Sequence, residues 1–139
     1  MANANAQTHQ NDTSAFFGGG IEAVKFEKPG DSVTGEVIAK ELRQQTDFDS
    51  GKALYWNDGS PRMQVIVTLQ VPTDDEDDEG ERNLYVRGLM TKAVREALKV
   101  AKLRDLEIGN TLTVEYTGDA KATRKGVNGA KQYKATVSA

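Results

Sequence analysis

The chain has 139 residues, enough for one domain with a real core, and its 37% hydrophobic and 28% charged residues are those of an ordinary globular protein. It has no cysteine, which excludes disulfides and thiolate metal sites, and its formal net charge is −3. That sign argues against a nucleic-acid partner only until the distribution is read: Asp74–Glu81 holds seven acids, and without them eighteen basic residues face fourteen acidic ones.

Residues 1–20 are rich in Ala, Asn, Gln and Gly, have no periodicity, and read as a flexible N-terminal arm. They lack the basic start and apolar run of a secretory signal, and no apolar stretch of the chain is long enough to span a bilayer. The expectation is a cytoplasmic protein without membrane contact. Phe16-Phe17, just before Gly18-Gly19-Gly20, are the exception in the arm; two adjacent rings there are expected to dock on the same domain or on a neighbour.

Pro29-Gly30-Asp31 signals a turn, and the first long strand follows over about Ser32–Leu42, with Val33, Val37 and Ala39 on one face. Gly35 inside it predicts a bend or bulge. Asp49-Ser50-Gly51 and Asn57-Asp58-Gly59 are turns, so Lys52–Trp56 reads as one arm of a hairpin. In the second strand Met63, Val65, Val67, Leu69 and Val71 alternate with Gln64, Ile66, Thr68 and Gln70. The acidic stretch 73–81 reads as a solvated, flexible loop. A calcium loop starting at Asp75 would place Gly80 correctly at the sixth position but Val86 at the twelfth, where a glutamate is needed.

A third strand, Asn83–Gly88, points Leu84 and Val86 inward and Tyr85 and Arg87 outward. Met90, Ala93, Val94, Ala97, Leu98 and Ala101 recur at helical spacing and predict a helix over about Lys92–Lys102 with Thr91 as N-cap. Its basic stripe, Lys92, Arg95, Lys99 and Lys102, reads as a solvated outer side. Leu112, Val114 and Tyr116 mark a fourth strand, and Tyr133, Ala135 and Val137 a last one after the Gly- and Lys-rich loop Gly118–Lys131. The order β-β-β-α-β-β predicts a mainly β domain over residues 21–139. The fold class is a five-stranded OB-fold, a Greek-key barrel with one helix between strands three and four. The predicted core is Val37, Val65, Val67, Leu69, Leu84, Val86, Val94, Leu98, Leu112 and Val114.

The candidate site is a nucleic-acid surface. Phe48, Tyr55 and the only tryptophan, Trp56, share one loop with Arg43, Lys52 and Arg62. Flat π-faces suit unstacked bases, and the cations suit phosphates. Neighbouring strand residues face opposite ways, so Tyr55 and Trp56 cannot both be core and at least one ring should be near solvent. Tyr85 and Arg87 lie where an OB barrel presents its oligonucleotide face, and the basic loop Lys121, Arg124, Lys125 and Lys131, with Tyr133 beside it, lies between the last two strands, another usual contact. The bland alternatives are a packed hairpin, a solvated strand face and a solvated loop.

Catalytic motifs are missing. Gly51-Lys52 lacks both the earlier glycine and the following Ser/Thr of a phosphate loop, and the only histidine, His9, is in the arm. No enzyme activity, metal or cofactor is expected.

The run RQQTDFDSGKALYWNDGSPRMQVIVTLQV, then the acidic loop, then RNLYVRG, TKAVREALKVA and LEIGNTLTVEYTGD, with FFGGG upstream, resembles a family of small proteins from phages of actinobacteria. Those proteins are described as single-stranded DNA-binding proteins, and the likeness covers roughly Phe16–Asp119. The resemblance implies a non-catalytic protein that binds single-stranded DNA in phage replication or recombination, with replication or recombination proteins as partners and a homo-oligomer as an option. The chain departs from the bacterial housekeeping pattern, whose acidic tip is at the C-terminus; here KQYKATVSA is basic to neutral. The competing expectation is a structural or interaction module, such as a small virion or assembly protein whose arm hooks a neighbour.

Overall fold

The computed structural model describes residues 21–119 and 130–139. They form strands β1 (Glu22–Ala23), β2 (Ser32–Gln44), β3 (Met63–Gln70) and β4 (Glu81–Val86), helix α1 (Leu89–Val100), and strands β5 (Thr111–Asp119) and β6 (Lys131–Ser138). The protein is mainly β, one mixed sheet in the order β1-β4-β3-β2-β5-β6.

β2 organises this sheet. Its first part, Ser32–Glu36, pairs with β5, and its second part, Glu36–Gln44, pairs with β3. Glu36 therefore serves both neighbours, and a bulge between Val37 and Ala39 turns the strand from one to the other. The bulge also moves Ala39 off the inner face, where alternation had put it; Ala39 is exposed. Gly35 stands at the crossing. A Cβ there would lie 2.7 Å from the Gln70 carbonyl oxygen and 3.0 Å from Leu69 Cβ, so a side chain would push β3 away.

The inner faces bury Val37, Val67, Leu69, Leu84, Leu112 and Val114 completely. Val86 and Val94 are buried as expected, while Val65 and Leu98 only pack against the core's edge. Val65 lies opposite Leu42, which is itself exposed, at the open end of the β2–β3 ladder. Phe26, Met90, Ala97, Leu106, Tyr116 and Val137 complete the core.

The closed barrel is not what forms. The sheet is six-stranded and not closed: β4 and β6, whose pairing would shut a five-stranded barrel, do not pair. The short β1 instead takes the outer edge of β4 in parallel, at Arg82 and Asn83. The chain after β1 then spans the gap, with the Phe26 ring edge-on to Tyr133 at 5.4 Å and the Phe26 carbonyl accepting from Lys131 Nζ at 2.7 Å.

The helix begins earlier than predicted. Gly88, not Thr91, is the N-cap, and no side chain caps it. A glycine with φ 59° allows the sharp exit from β4 that starts the helix at Leu89. At its other end Lys102 has φ 62°, its N–H donates to the Lys99 carbonyl, and the Leu103 N–H donates to the Leu98 carbonyl. That is a Schellman stop with lysine where glycine is usual.

The acidic loop is built rather than merely solvated. Asp78 takes both terminal nitrogens of Arg82, at 2.6 and 3.0 Å, and accepts the Gly80 N–H at 2.8 Å. These donors hold the Asp78 carboxyl far below the usual carboxylate range. The loop joins β3 to β4, so it lies at the opposite end of β3 from residues 45–62.

Candidate nucleic-acid interface

Residues 45–62 are a small ordered structure. Gln45 N–H donates to the Arg62 carbonyl (2.7 Å), Arg62 N–H to the Leu54 carbonyl (3.0 Å), and Leu54 N–H to the Gln45 carbonyl (2.9 Å). Three chain segments thus close a triangle. Lys52–Trp56 is not one arm of a single hairpin: Ala53 bridges back to Thr46 and Tyr55 bridges forward to Pro61. Two tight turns project from this shared middle segment.

Aspartates shape both turns. Asp47 Oδ1 accepts the N–H groups of Asp49 and Ser50, each at 2.9 Å. Asp58 Oδ1 accepts the Ser60 hydroxyl at 2.5 Å and the Ser60 N–H at 2.9 Å. The Ser50 and Asp49 amides hold Asp47 below its ordinary pKa, and Ser60 does so for Asp58. Both stay charged at neutral pH, so the turns carry fixed negative charge as well as Lys52 and Arg62.

All three loop rings face solvent. Phe48 is 100% exposed, Tyr55 57% and Trp56 52%, so neither of the adjacent pair is core. They are not equivalent. Phe48 stands between Asp47 and Asp49, charges that repel a phosphate track within the screening length of about 8–10 Å. Trp56 is backed by a cation instead: Arg62 Cζ lies 4.4 Å from its ring centroid. Lys52 is exposed.

The sheet face beside the loop brings three more predicted residues together. Arg43 lies opposite Gln64 on β3, and Arg87 Nη1 donates to Gln64 Oε1 at 3.3 Å from the other side. One row along, Glu41, Ile66 and Tyr85 are in register across β2, β3 and β4. Tyr85 is 37% exposed. Gln64 and Ile66 are buried although they point away from the core, because the side chains of the two flanking strands cover the central one. Arg43 is already engaged: its Nη2 contacts both Glu41 oxygens at 2.8 and 2.9 Å. The carboxylate takes Nε and Nη2, so a phosphate at Arg43 either meets the remaining Nη1 or displaces Glu41.

Lys131 and Tyr133 pack into the scaffold, although the Arg87 charge reaches Tyr133. Lys131 reaches the Phe26 carbonyl and lies 5.0 Å from the Tyr116 ring centroid. Tyr133 is half-buried between Phe26 and Tyr116, and burial raises its pKa. Lys121, Arg124 and Lys125 lie outside the described residues, as do Phe16-Phe17.

Sequence reasoning missed Gln64, Ile66 and the Glu41 clamp. The clamp had a signal, since residues two apart on a strand share a face. The stacking of Arg62 on Trp56 had none, because it depends on how two turns fold back on Leu54. No helix among the described residues is long and apolar enough to cross a membrane. No protein-family model, curated protein or solved structure matches the chain.

Proposed function

We propose that this chain is a non-catalytic single-stranded DNA-binding protein. Bases would stack on Trp56, Tyr55 and Tyr85, phosphates would meet Arg87, Lys52 and Arg43, and there would be little sequence preference. The observation that carries the reading is the exposed Trp56 on an ordered loop, with a cation behind one of its faces. The half of this large ring left in water contributes little to the fold, and a stacked base is worth on the order of 1–3 kcal/mol. The strand pairing supports it further: β2 with β3 and β5, β3 with β4, and β5 with β6 follow OB-fold order, lacking only the closing pair. We read the domain as an OB-type barrel opened at β4/β6. The resemblance to phage proteins suggests phage DNA replication or recombination as the setting, with proteins of that machinery as partners.

A second reading, an interaction module, draws on one feature. Five consecutive residues of edge strand β6, Tyr133–Val137, line a groove against Ala93, Ala97 and Val100 of α1.

Titration with oligo(dT) tests the proposal. Trp56 emission should be quenched, and Trp56→Ala should weaken binding by on the order of 1–3 kcal/mol while the thermal melt stays cooperative. A protein that ignores oligo(dT) at low salt, or one whose Trp56→Ala variant binds as tightly as the parent, contradicts it.

A further inference from the structure

Arg62 looks at first like one more phosphate contact, but its surroundings assign it a different task. Its backbone is fixed on both sides, by the N–H of Gln45 and by the carbonyl of Leu54. Its guanidinium lies 4.4 Å from the centre of the Trp56 ring. Its Nε is buried and has no hydrogen-bond partner among the described residues. The arginines at Arg43 and Arg82 are held by carboxylates; Arg62 makes no such pair among the described residues. The buried Nε is turned away from a passing phosphate and toward the loop itself. Leaving such a donor unpaired is unfavourable, and the compensating contact visible at this side chain is the indole face.

The geometry points to Arg62 as a positioning residue: it holds the Trp56 ring by one face and leaves the other face as a platform for a single base. This rests on the proposed reading of the site and deepens it. The guanidinium is planar and lies over the indole; a planar cation can lie flat on a ring, which a lysine ammonium does not reproduce even though the charge is the same. The column is therefore guanidinium, indole, base. Its first two members are in place without DNA, so the ring is already oriented when a strand arrives and less conformational freedom is lost on binding.

The two roles of Arg62 differ in what salt does. A cation on a phosphate releases counterions, so its removal should shrink the log–log salt slope by roughly 0.7 for a single strand. A cation whose task is to hold a ring should leave the slope unchanged when it is removed. Arg62→Met and Arg62→Lys are compared with Trp56→Ala, Arg87→Met and the double variant Arg62→Met/Trp56→Ala, each binding fluorescein-labelled oligo(dT) across a salt series. Both Arg62 variants should lose affinity by a factor comparable to Trp56→Ala, on the order of 10- to 100-fold. Their salt slopes should equal the parent's, and the double variant should bind no more weakly than Trp56→Ala alone. Arg87→Met should lower the slope.

A reduced slope for Arg62→Met, full rescue by Arg62→Lys, or losses that add in the double variant would overturn the assignment. A DNA-free readout separates this from failure of the DNA-binding reading. In Arg62→Met the Trp56 emission and near-ultraviolet circular dichroism should move to those of a loose indole, with the cooperative melt retained. An unchanged Trp56 signal would equally overturn the assignment, whether or not the protein binds DNA.

Discussion

Tyr116 is the residue whose chemistry the fold alters most legibly. Its hydroxyl donates to Asp119 Oδ1 at 2.5 Å, and its ring is buried beside Tyr133. The bond to Asp119 and then burial push its pKa up to about 12. The neutral phenol is thus favoured in the folded state. Its contribution to stability is complete below the unfolded value of about 10 and is lost as pH rises through about 12. Following phenolate absorbance in a pH titration should show one of the four tyrosines ionising near 12. Asp119→Ala should bring that step down toward the ordinary range; an unmoved step would mean that burial alone sets it. At the same scale, Trp56 and Phe48 show how local charge ranks two exposed rings. One is backed by Arg62, and the other is flanked by Asp47 and Asp49.

Helix α1 shows the same kind of argument for an element. Its amphipathic spacing was legible, and its residues Met90, Val94 and Ala97 are buried. Its ends were not legible, because Thr91 resembles a cap in sequence while the turn out of β4 needs the positive φ of Gly88. The stop at Lys102 makes a testable point. A side chain in the left-handed region is unfavourable by roughly 1–2 kcal/mol, partly offset by the extra freedom glycine has when unfolded. Lys102→Gly should therefore raise stability by up to about 1 kcal/mol in denaturant unfolding, with the m-value unchanged. A destabilised variant would show that the lysine chain contributes packing that outweighs the backbone strain.

Across the whole molecule, the acidic loop and the stacking loop sit at opposite ends of β3, an eight-residue strand about 25 Å long. An acidic loop so placed does not lie over the candidate face. Its field reaches about 8 Å at physiological salt and about 30 Å at 0.01 M. Converting Asp74, Asp75, Glu76 and Asp77 to amides, with Asp78 kept for Arg82, should leave oligo(dT) affinity unchanged at physiological salt. Affinity should tighten only at the lowest salt. A clear gain at physiological salt would mean that the loop swings over the binding face as a mimic of DNA.

Sequence alone determined the elements that depend on short-range pattern. The alternation in β3 and β4, the helical spacing in α1 and the turn residues around Gly51 and Gly59 predict local conformation, because side-chain period and glycine freedom are local properties. It also determined that Tyr55 and Trp56 could not both be buried, and neither is. Only the tertiary structure decided which edges pair. Whether β4 meets β6 or β1 depends on competition between segments far apart in the chain, and β1 is two residues long, too short to carry a period. The same holds for the site. Which cation lies under Trp56, which is clamped by Glu41 and which remains to meet a phosphate are matters of distance across strands and turns. Composition holds no record of that distance.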